Sequence, residues 1–345
     1  MLASLLRRFT PATKTTTSRV RLGQNIFPAR SDQTLLESAL QAGVDFPYNC
    51  QAGACGECRC KITHGGYTTL RDLGYLISEE DQRHGHTLAC QTVADADLTV
   101  ELACGPVQWI DATLVECSRL DHDILELRIK TALPVTYRVG QYVHLLEPVS
   151  GIRRAYSMVA SSDPRNDILA FHIKLRTGGK MSDWLQTRER ASEKSAIKVG
   201  APMGTFGQPA ADIHHFIAVA SGSGLGVISN VLAKHADASK NIVVWLFLVS
   251  RDAISRYHES QITFLNSLPN LTLLVTNIAF SDWCSGEYSP FQHVTSGDMQ
   301  ATRNCQALLC GSAQIVDWGA RHCAAFGLPE HRIQSDKFTA IQNLV

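Results

Sequence analysis

The chain has 345 residues, of which 45% are hydrophobic, so it is long enough for two or three domains that each bury a core. The formal net charge is +0 at pH 7, and no basic stripe with interleaved aromatic residues is present, which argues against nucleic-acid binding. The longest apolar stretch, residues 242–249, is too short for a membrane span and is typical of a buried strand.

Charge and cysteine usage narrow the class of protein further. Residues 1–22 carry five basic residues and no acid, whereas residues 23–101 carry eleven acids and five bases, a net charge of −6. An acidic domain suits docking to a basic redox partner, and plain solubility is the competing explanation. Eleven cysteines in a chain of this length indicate a reducing compartment, so we expect a cytoplasmic protein.

Residues 1–16 read as an N-terminal extension, because they are basic, rich in hydroxyl groups and free of acids. We interpret the extension as a frayed terminus. A mitochondrial transit peptide and a weak contact with a membrane surface are the alternatives.

The next predicted elements describe a small domain over residues 17–103. A strand is predicted within residues 17–27, and a helix runs from Asp32 to Gly43 because apolar residues recur at helical spacing. A strand at residues 58–62, a short helix from Ser78 and a closing strand at residues 98–102 complete the domain.

A cysteine-rich loop follows the first helix of this domain. Cys50, Cys55 and Cys58 have the spacing C-x4-C-x2-C, and Cys90 supplies a distant fourth thiolate. This is the plant-type [2Fe–2S] ligand pattern, and iron prefers soft thiolates. A zinc site or a disulfide pair is the alternative, but zinc sites usually show two separated CxxC pairs. Cys60 continues into a strand, so we do not count it as a ligand.

Two further segments follow a linker that starts at Cys104. Short strands separated by turns over residues 110–207 predict an antiparallel β-barrel. Apolar strands that alternate with helices over residues 208–345 predict a parallel α/β sheet. The barrel strands are predicted at residues 112–118, 124–129, 142–146, 155–160 and 169–175, with a helix at 181–186. The strands of the parallel sheet are predicted at residues 216–220, 242–249, 271–276 and 306–310.

Six short motifs follow one another in these two segments. They are Arg154-Ala-Tyr-Ser157, Thr177-Gly-Gly-Lys-Met-Ser182, Gly204-Thr-Phe-Gly207, Ser221-Gly-Ser-Gly-Leu-Gly226, Cys310-Gly311 and Asp336-Lys-Phe338. Each is weak alone, but their order and spacing resemble the ferredoxin–NADP reductase superfamily. With the cysteine-rich domain in front, the chain resembles the iron–sulfur flavoprotein reductases that serve bacterial ring-hydroxylating dioxygenases and related monooxygenases.

The resemblance covers residues 17 to 338 and implies three domains. These are a β-grasp [2Fe–2S] ferredoxin domain of the α+β class over residues 17–103, an FAD-binding antiparallel β-barrel over 110–207, and an α/β NAD-binding domain with a parallel sheet over 208–345. FAD rather than FMN is implied, because relatives with the cluster domain in front usually hold FAD. We expect a monomer.

The first two motifs carry the expected FAD site. Arg154 is a fixed cation that suits a flavin phosphate. The resemblance implies that Tyr156 lies against the isoalloxazine ring and that the Ser157 hydroxyl bonds flavin N5. An ordinary alternating strand is the competing explanation for Tyr156 and Ser157.

A second group of residues is expected around the rest of FAD. Gly178, Gly179 and Ser182 sit at a helix N-terminus, where free N–H groups and the helix dipole bind phosphate. The resemblance assigns this phosphate site to the flavin pyrophosphate. It places His172 and Lys174, on the preceding strand, beside the adenosine part.

The expected nicotinamide site uses the later motifs. Gly222, Gly224 and Gly226 follow a strand and open a helix, which is the context of a nucleotide-binding loop. Close helix–strand packing through glycine is the alternative. The family more often has Gly where this chain has Ser221 and Pro where it has Val227.

The last two motifs carry the residues expected at the reacting atoms. Ligands of open α/β sheets bind at the carboxyl ends of strands, and Cys310 ends one. The family places this cysteine beside the nicotinamide C4 and Phe338 against the flavin, so Ser157, Cys310 and Phe338 are the expected catalytic residues. Asp336 occupies a position where the family often has an acid. The paired residues His84–His86, His214–His215 and His322–Cys323 lack metal spacing and are expected at the surface or at strand edges.

The resemblance implies an electron relay. Hydride passes from NADH to FAD, single electrons pass to the [2Fe–2S] cluster, and the cluster reduces a terminal oxygenase component. Two alternatives stay open: a reductase for another iron–sulfur enzyme, such as a deoxysugar dehydratase, and a flavin-binding redox sensor without turnover. NADH is the expected donor because residues 276–281 contain no basic residue, although Ser250 and Arg251 follow the second strand of the sheet.

Overall fold

The structure is a computed structural model of the chain. The residues that it describes are 16–48, 51, 53, 56–71, 73, 77–102, 108–159, 167–191, 194–208, 213–238, 241–251, 255–285 and 305–338. Of the predicted N-terminal extension, only Thr16 belongs to them. They fall into two compact units, one within residues 1–107 and one within residues 108–340.

The first unit is built on a mixed five-stranded sheet. Its strands are β1 (Thr17–Leu22), β2 (Asn25–Arg30), β3 (Arg59–His64), β4 (Tyr67–Thr69), β5 (His86–Leu88), β6 (Thr92–Ala94) and β7 (Leu98–Leu102), and its helices are α1 (Leu35–Gln41) and α2 (Glu79–Arg83). The sheet order is β2-β1-β7-β3-β5, and β4 pairs separately with β6. The single strand predicted within residues 17–27 is in fact a hairpin, because Gly23 turns the chain with a φ of 59°.

Helix α1 begins later than the sequence pattern predicts. Thr34 is its N-cap: the Thr34 hydroxyl accepts the N–H of Glu37, and the Glu37 carboxylate accepts the N–H of Thr34, which completes a capping box. The carboxylate of Asp32, where the helix is predicted to begin, instead pairs with Arg30 at 2.6 Å. The buried face of α1, which includes Leu35 and Leu36, shares one core with the sheet.

The second unit begins with a six-stranded antiparallel sheet. Its elements are β8 (Trp109–Asp121), β9 (Ile124–Thr131), β10 (Tyr142–Leu146), β11 (Arg153–Ser157), β12 (Ile168–Lys174), α3 (Lys180–Ala191) and β13 (Ser195–Gly200). The order is β11-β10-β13-β8-β9-β12. An isolated antiparallel bridge joins Val159, just after β11, to Ala170 of β12, so the two outer strands approach each other.

A five-stranded parallel sheet follows in the same unit. Its elements are β14 (His215–Ala220), α4 (Gly224–Ala238), β15 (Ile242–Ser250), α5 (Arg256–Asn266), β16 (Leu271–Ala279), α6 (Phe280–Ser285), β17 (Cys305–Ser312), α7 (Ala313–Ala325) and β18 (Ile333–Phe338). The order is β16-β15-β14-β17-β18, with parallel pairing throughout. Strand β18 has no counterpart among the predicted strands, because its sequence, Ile-Gln-Ser-Asp-Lys-Phe, is mostly polar.

The helices of both units are short. Helix α4, with 15 residues, is the longest in the described parts of the chain. Among these helices, none combines the length and the apolar character needed to cross a membrane.

Candidate functional site

Two of the four predicted cluster ligands lie side by side in the first unit. Cys58 precedes β3, Cys90 lies in a 3₁₀ turn at Ala89–Gln91, and both are buried. The backbone N–H of Cys90 donates to Cys58 Sγ at 3.5 Å. The other two predicted ligands, Cys50 and Cys55, lie outside the described residues.

The groups around these two sulfurs fit an iron–sulfur cluster. The Gln91 carboxamide donates from Nε2 to Cys90 Sγ at 3.5 Å, in addition to the backbone donation to Cys58. N–H groups aimed at ligand sulfurs stabilise negative charge on them. Gln51, Gly53 and Gly56 take positive φ angles of 52°, 75° and 77°, which lets the loop curve tightly.

Cys60 lies within β3 and is fully buried. Burial raises the pKa of its thiol to about 12, and the charge of Cys90 adds to the rise. The thiol by itself therefore stays protonated at neutral pH.

The predicted flavin residues on β11 lie beside a second arginine. Burial raises the pKa of the Tyr156 phenol above its ordinary value, and the nearby charges of Arg154 and Arg176 act in the opposite direction. The Arg154 guanidinium also donates to the carbonyl of Arg153 at 2.6 Å. Two cations thus lie close enough to act on the phenol of one half-buried tyrosine. Arg176 was not predicted from the sequence, because it stands one residue outside the glycine motif.

The glycine turn that opens α3 is held by one side chain. The Ser182 hydroxyl accepts the backbone N–H of Arg176 at 2.9 Å. Gly178 has a φ of 71°, and a Cβ on Gly179 would lie 3.1 Å from the Arg176 carbonyl. Gly178 therefore takes a backbone conformation that favours glycine, and Gly179 leaves little space for a larger residue. The hydrogen bond to Ser182 places Arg176 beside the N-terminal end of α3. These residues fit a phosphate-bearing cofactor.

The predicted catalytic residues Ser157 and Cys310 meet at a buried carboxyl group. The Ser157 hydroxyl donates to Asp336 Oδ2, and Cys310 Sγ lies 3.9 Å from the same oxygen. Ser157 belongs to the antiparallel sheet, whereas Cys310 and Asp336 are register partners on β17 and β18. The cluster therefore joins the two sheets of the second unit.

Burial controls the protonation of this cluster. It raises the pKa of Asp336 to about 6, against the opposing hydrogen bonds from Ser157 and Cys310. It also raises the pKa of the Cys310 thiol well above its ordinary value. At neutral pH Cys310 is thus a neutral thiol, and Asp336 is a carboxyl group that titrates close to neutrality. Phe338 follows on the same face of β18, half-buried against the core of the parallel sheet.

The glycine loop after β14 is fastened to β17 through Ser221. The Ser221 hydroxyl accepts the N–H of Ser312 at 3.3 Å, and a Cβ on Gly311 would collide with it. A Cβ on Gly224 would lie 2.5 Å from the carbonyl of Cys310. The departure from the family pattern at Ser221 therefore adds a hydrogen bond between two strand ends.

His172 lies against the glycine loop. Its Nδ1 is 3.0 Å from the Tyr257 hydroxyl, and a Cβ on Gly226 would collide with both atoms. Desolvation lowers the pKa of His172 to about 4, so the ring is neutral. Tyr257 in turn donates its backbone N–H to Asp121 at 3.0 Å.

Lys174 bridges the antiparallel sheet and the same loop. Its ammonium group pairs with Asp123 at 2.9 Å. Its aliphatic stem covers Gly222, where a Cβ would lie 3.0 Å from Lys174 Cδ. The side chain therefore places a cation at the edge of the nucleotide loop.

The peptide that joins the two sheets is held by amide side chains. Gln334 accepts the N–H of Gly207 at 2.7 Å and donates to the carbonyl of Gln208 at 2.6 Å. Gln306 donates to the same carbonyl at 3.1 Å. His235 lies 3.2 Å from the Gly207 carbonyl. Gln334 shares its strand face with Asp336, so one strand binds the junction and the reactive cluster.

One prediction about the remaining paired residues is wrong. Cys323 is fully buried in a core cluster, not at the surface. It lies on α7 where the apolar face meets the sheet. His322 stacks on Trp318 at a centroid distance of 5.4 Å.

Comparison with known families identifies the two cofactor domains. Residues 20–95 match the 2Fe-2S iron-sulfur cluster binding domain. Residues 111–207 match the oxidoreductase FAD-binding domain. The chain is an iron–sulfur flavoprotein oxidoreductase. The oxidoreductase uses a [2Fe–2S] cluster, FAD and a nicotinamide dinucleotide, as its residues and its similarity to ferredoxin–NAD(P)(+) reductases indicate.

Relatives align with the oxidoreductase over most of both chains. It is 28% identical to the xylene/toluene monooxygenase electron transfer component of Pseudomonas putida, over 96% of this chain and 95% of that protein. It is 29% identical to a ferredoxin–NAD(P)(+) reductase of Metapseudomonas resinovorans, over 89% and 95% of the two chains. The fold is similar to the ferredoxin reductase in carbazole 1,9a-dioxygenase, with a TM-score of 0.60 and coverage of 95% of this chain and 100% of that one.

Proposed function

We propose that the oxidoreductase is the NADH-dependent reductase component of an aromatic-compound oxygenase system. Electrons pass from NADH to FAD, then to the [2Fe–2S] cluster, and then to a terminal oxygenase component. The shared domain order carries the proposal, because the monooxygenase electron transfer component aligns over nearly the whole of both chains. The names of the relatives favour this function over the deoxysugar-dehydratase and redox-sensor alternatives.

The proposed domain organisation follows the sequence prediction. Residues 1–16 are an extension, 17–103 a β-grasp ferredoxin domain, 110–207 the FAD domain and 208–345 the NAD domain. The FAD domain closes into an antiparallel barrel, and the bridge between Val159 and Ala170 supports this closure. Cys50, Cys55, Cys58 and Cys90 bind the cluster.

The FAD site is assigned to the residues around β11 and the turn before α3. Arg154 and Arg176 bind the pyrophosphate together with Gly178, Gly179 and the N-terminal end of α3. Ser182 holds that turn in place through its bond to Arg176. Tyr156 lies against the isoalloxazine ring.

The hydride-transfer site is assigned to the cluster that joins the two sheets. FAD supplies the conversion of a two-electron donor into single electrons. Ser157 presents its hydroxyl at the ring, and Asp336 accepts a hydrogen bond from that hydroxyl and holds or releases a proton near neutral pH. Cys310 would shape the nicotinamide site as a small neutral side chain, and Phe338 would lie against the flavin ring.

The nucleotide site is assigned to the loop of Gly222, Gly224 and Gly226. Lys174 reaches this loop from the antiparallel sheet and offers a cation to the dinucleotide. His172 supports the loop through Tyr257. For both side chains, the contacts with the loop favour this assignment over the adenosine part of FAD.

A preference for NADH over NADPH has one supporting contact. Arg251, the basic residue after β15, lies over the Phe280 ring at 4.9 Å from its centroid. A guanidinium engaged on an aromatic face has less freedom to bind a 2′-phosphate. We expect a higher kcat/KM with NADH, and better turnover with NADPH would contradict this preference.

The partner is proposed to be a protein with a basic docking face. The net charge of −6 over residues 23–101 raises the encounter rate with such a face and makes it dependent on salt. The reductase is proposed to act as a cytoplasmic monomer. Sedimentation at micromolar concentration tests the monomer directly.

A pair of variants tests the relay. Cys55→Ala removes one cluster ligand, so flavin absorbance and NADH-driven reduction of ferricyanide should persist while reduction of cytochrome c is largely lost. Replacing Tyr156 and Ser157 together by Ala should keep the cluster and lower both activities. A redox sensor would show no steady reduction of ferricyanide.

The relay order also has a clear contrary result. In the proposed order ferricyanide takes electrons from the flavin and cytochrome c takes them from the cluster. Equal loss of the two reactions in a soluble, flavin-loaded Cys55→Ala protein would overturn this order. Reduction of a purified aromatic-ring oxygenase, but not of a dehydratase, separates the first two candidate functions.

A further inference from the structure

The carboxamide of Gln91 has a fixed place beside a cluster ligand. Gln91 follows Cys90 in the 3₁₀ turn and is only 5% exposed. Its Nε2 donates to the Cys90 carbonyl at 2.8 Å and to Cys90 Sγ at 3.5 Å. An amide nitrogen has two hydrogens, so one bond orients the group while the other points at the sulfur.

The main chain around Gln91 is fixed and lies in the protein interior. The Gln91 carbonyl accepts the backbone N–H of Leu70 at 2.8 Å, which fixes the main chain on one side. Leu88, which precedes the turn, and Ala89, which opens it, are fully buried in the core of the first unit. In such an interior a fixed dipole acts on a nearby charge with little screening.

We propose that Gln91 is a positioning residue that raises the reduction potential of the [2Fe–2S] cluster by donating a hydrogen bond to the Cys90 sulfur. Reduction adds one negative charge to the cluster and its thiolates, so a donor on the sulfur stabilises the reduced state more than the oxidised state. The inference rests on the cluster assignment made under the proposed function, and it adds a residue that sets how readily the cluster accepts an electron from the flavin.

The size of the effect follows from the strength of such a bond. A hydrogen bond to a charged group is worth about a tenfold change in an equilibrium constant or more. The Cys90 sulfur accepts the bond in both oxidation states, so only the part by which reduction strengthens the bond changes the potential. For a one-electron couple, a tenfold change equals about 59 mV, so removal of the donor should make electron transfer onto the cluster less favourable by up to about tenfold.

Gln91→Met tests the proposal, because methionine has a similar length and volume but no N–H. The full-length flavin-loaded protein would be titrated with dithionite, and the reduced cluster would be followed by its electron paramagnetic resonance signal. We expect a more negative midpoint potential than in the unmodified protein. Gln91→Leu, a second apolar variant, should shift the potential in the same direction.

Thr92→Val is the matched control. Thr92 is the next residue and is fully buried, and its hydroxyl donates to the Leu88 carbonyl at 2.9 Å. This substitution removes the bond to the Leu88 carbonyl and a second one, to the Thr87 hydroxyl at 2.6 Å, just after the same turn, without removing a donor to a cysteine sulfur. The potential of the Thr92→Val cluster should match that of the unmodified protein.

The outcomes separate this inference from the proposed function. Unchanged potentials in both Gln91 variants, or equal shifts in the Gln91 and Thr92 variants, overturn the role of the amide. The proposed role is also overturned if neither Gln91 variant holds a cluster while Thr92→Val does, since Gln91 would then be needed for assembly of the cluster. Absence of any cluster signal in the unmodified protein would instead contradict the proposed function.

Discussion

The buried carboxyl of Asp336 should make the stability of the second unit depend on pH. Burial raises its pKa from 3.8 to about 6, so between these values the folded chain binds the proton more tightly than the unfolded chain. The free energy of unfolding therefore falls as pH rises through this window. A difference of about two pKa units corresponds to about 3 kcal/mol in the free energy of unfolding. The protein has this additional stability below pH 3.8 and loses it as the pH rises through about 6.

Asp336→Asn removes the titrating group and keeps the shape of the side chain. The asparagine variant should gain stability relative to the unmodified protein as pH rises. Between about pH 5 and about pH 7.5 the expected relative gain is about 1.4 kcal/mol, because roughly half of the titration falls in this range. Urea unfolding followed by tryptophan fluorescence, performed at both pH values, measures this difference. NADH oxidation should fall in the same variant.

The control is an exposed carboxyl of the same unit. Asp237 lies on the surface of α4, so Asp237→Asn removes a charge without relieving a burial penalty. A stability difference between Asp336→Asn and the unmodified protein that stays constant from pH 5 to pH 7.5 would refute the reasoning. It would show that Asp336 does not titrate in this range.

Three further substitutions test contacts within the two units, each taken separately. Gly226→Ala should lower the free energy of unfolding of the second unit by about 1–3 kcal/mol and raise the KM for NADH. The reason is that the added methyl group must break the contact between His172 and Tyr257. An unchanged KM would contradict this. Gln334→Met should lower the stability of the second unit by about 1–2 kcal/mol, measured by urea unfolding, since both hydrogen bonds at the junction are lost. Thr34→Ala should destabilise the first unit by about 1 kcal/mol, detected by loss of cluster absorbance in urea, with flavin release unchanged.

Several strands were predicted with their correct bounds, because a strand's apolar pattern depends on neighbouring residues in the chain. The strand predicted at residues 98–102 has the bounds of β7, and that predicted at residues 142–146 has those of β10. The errors are local as well. The helix start near Asp32 is wrong because Thr34 offers the better cap. Strand β18 was missed because polar residues break its apolar pattern. Two of them are used for contacts: Asp336 accepts from Ser157 of the antiparallel sheet, and Gln334 binds the peptide that joins the two sheets.

In the candidate site, too, the short motifs were predicted and the contacts between distant residues were not. Spacing in the chain was enough to propose three cluster cysteines, the phosphate turn and the glycine loop, because each is a short motif whose residues lie close together. Cys90 lies 32 residues beyond Cys58 and was proposed as the distant fourth ligand of the plant-type pattern. Asp336 shows the limit of this approach. It stands 179 residues from Ser157, and the sequence showed only that it lies near Phe338.

The sequence by itself determined the order of the cofactor domains, the class of chemistry and the position of most strands, because periodicity and motif spacing are properties of adjacent residues. The tertiary structure alone decided which distant groups meet. It brought Asp336 to Ser157 and Cys310, Arg176 to Tyr156, His172 to Tyr257 and Gln334 to the junction. These contacts depend on strand order and register, which arise when two sheets bury their faces together, and they create the desolvation that shifts the pKa of Asp336 and of His172.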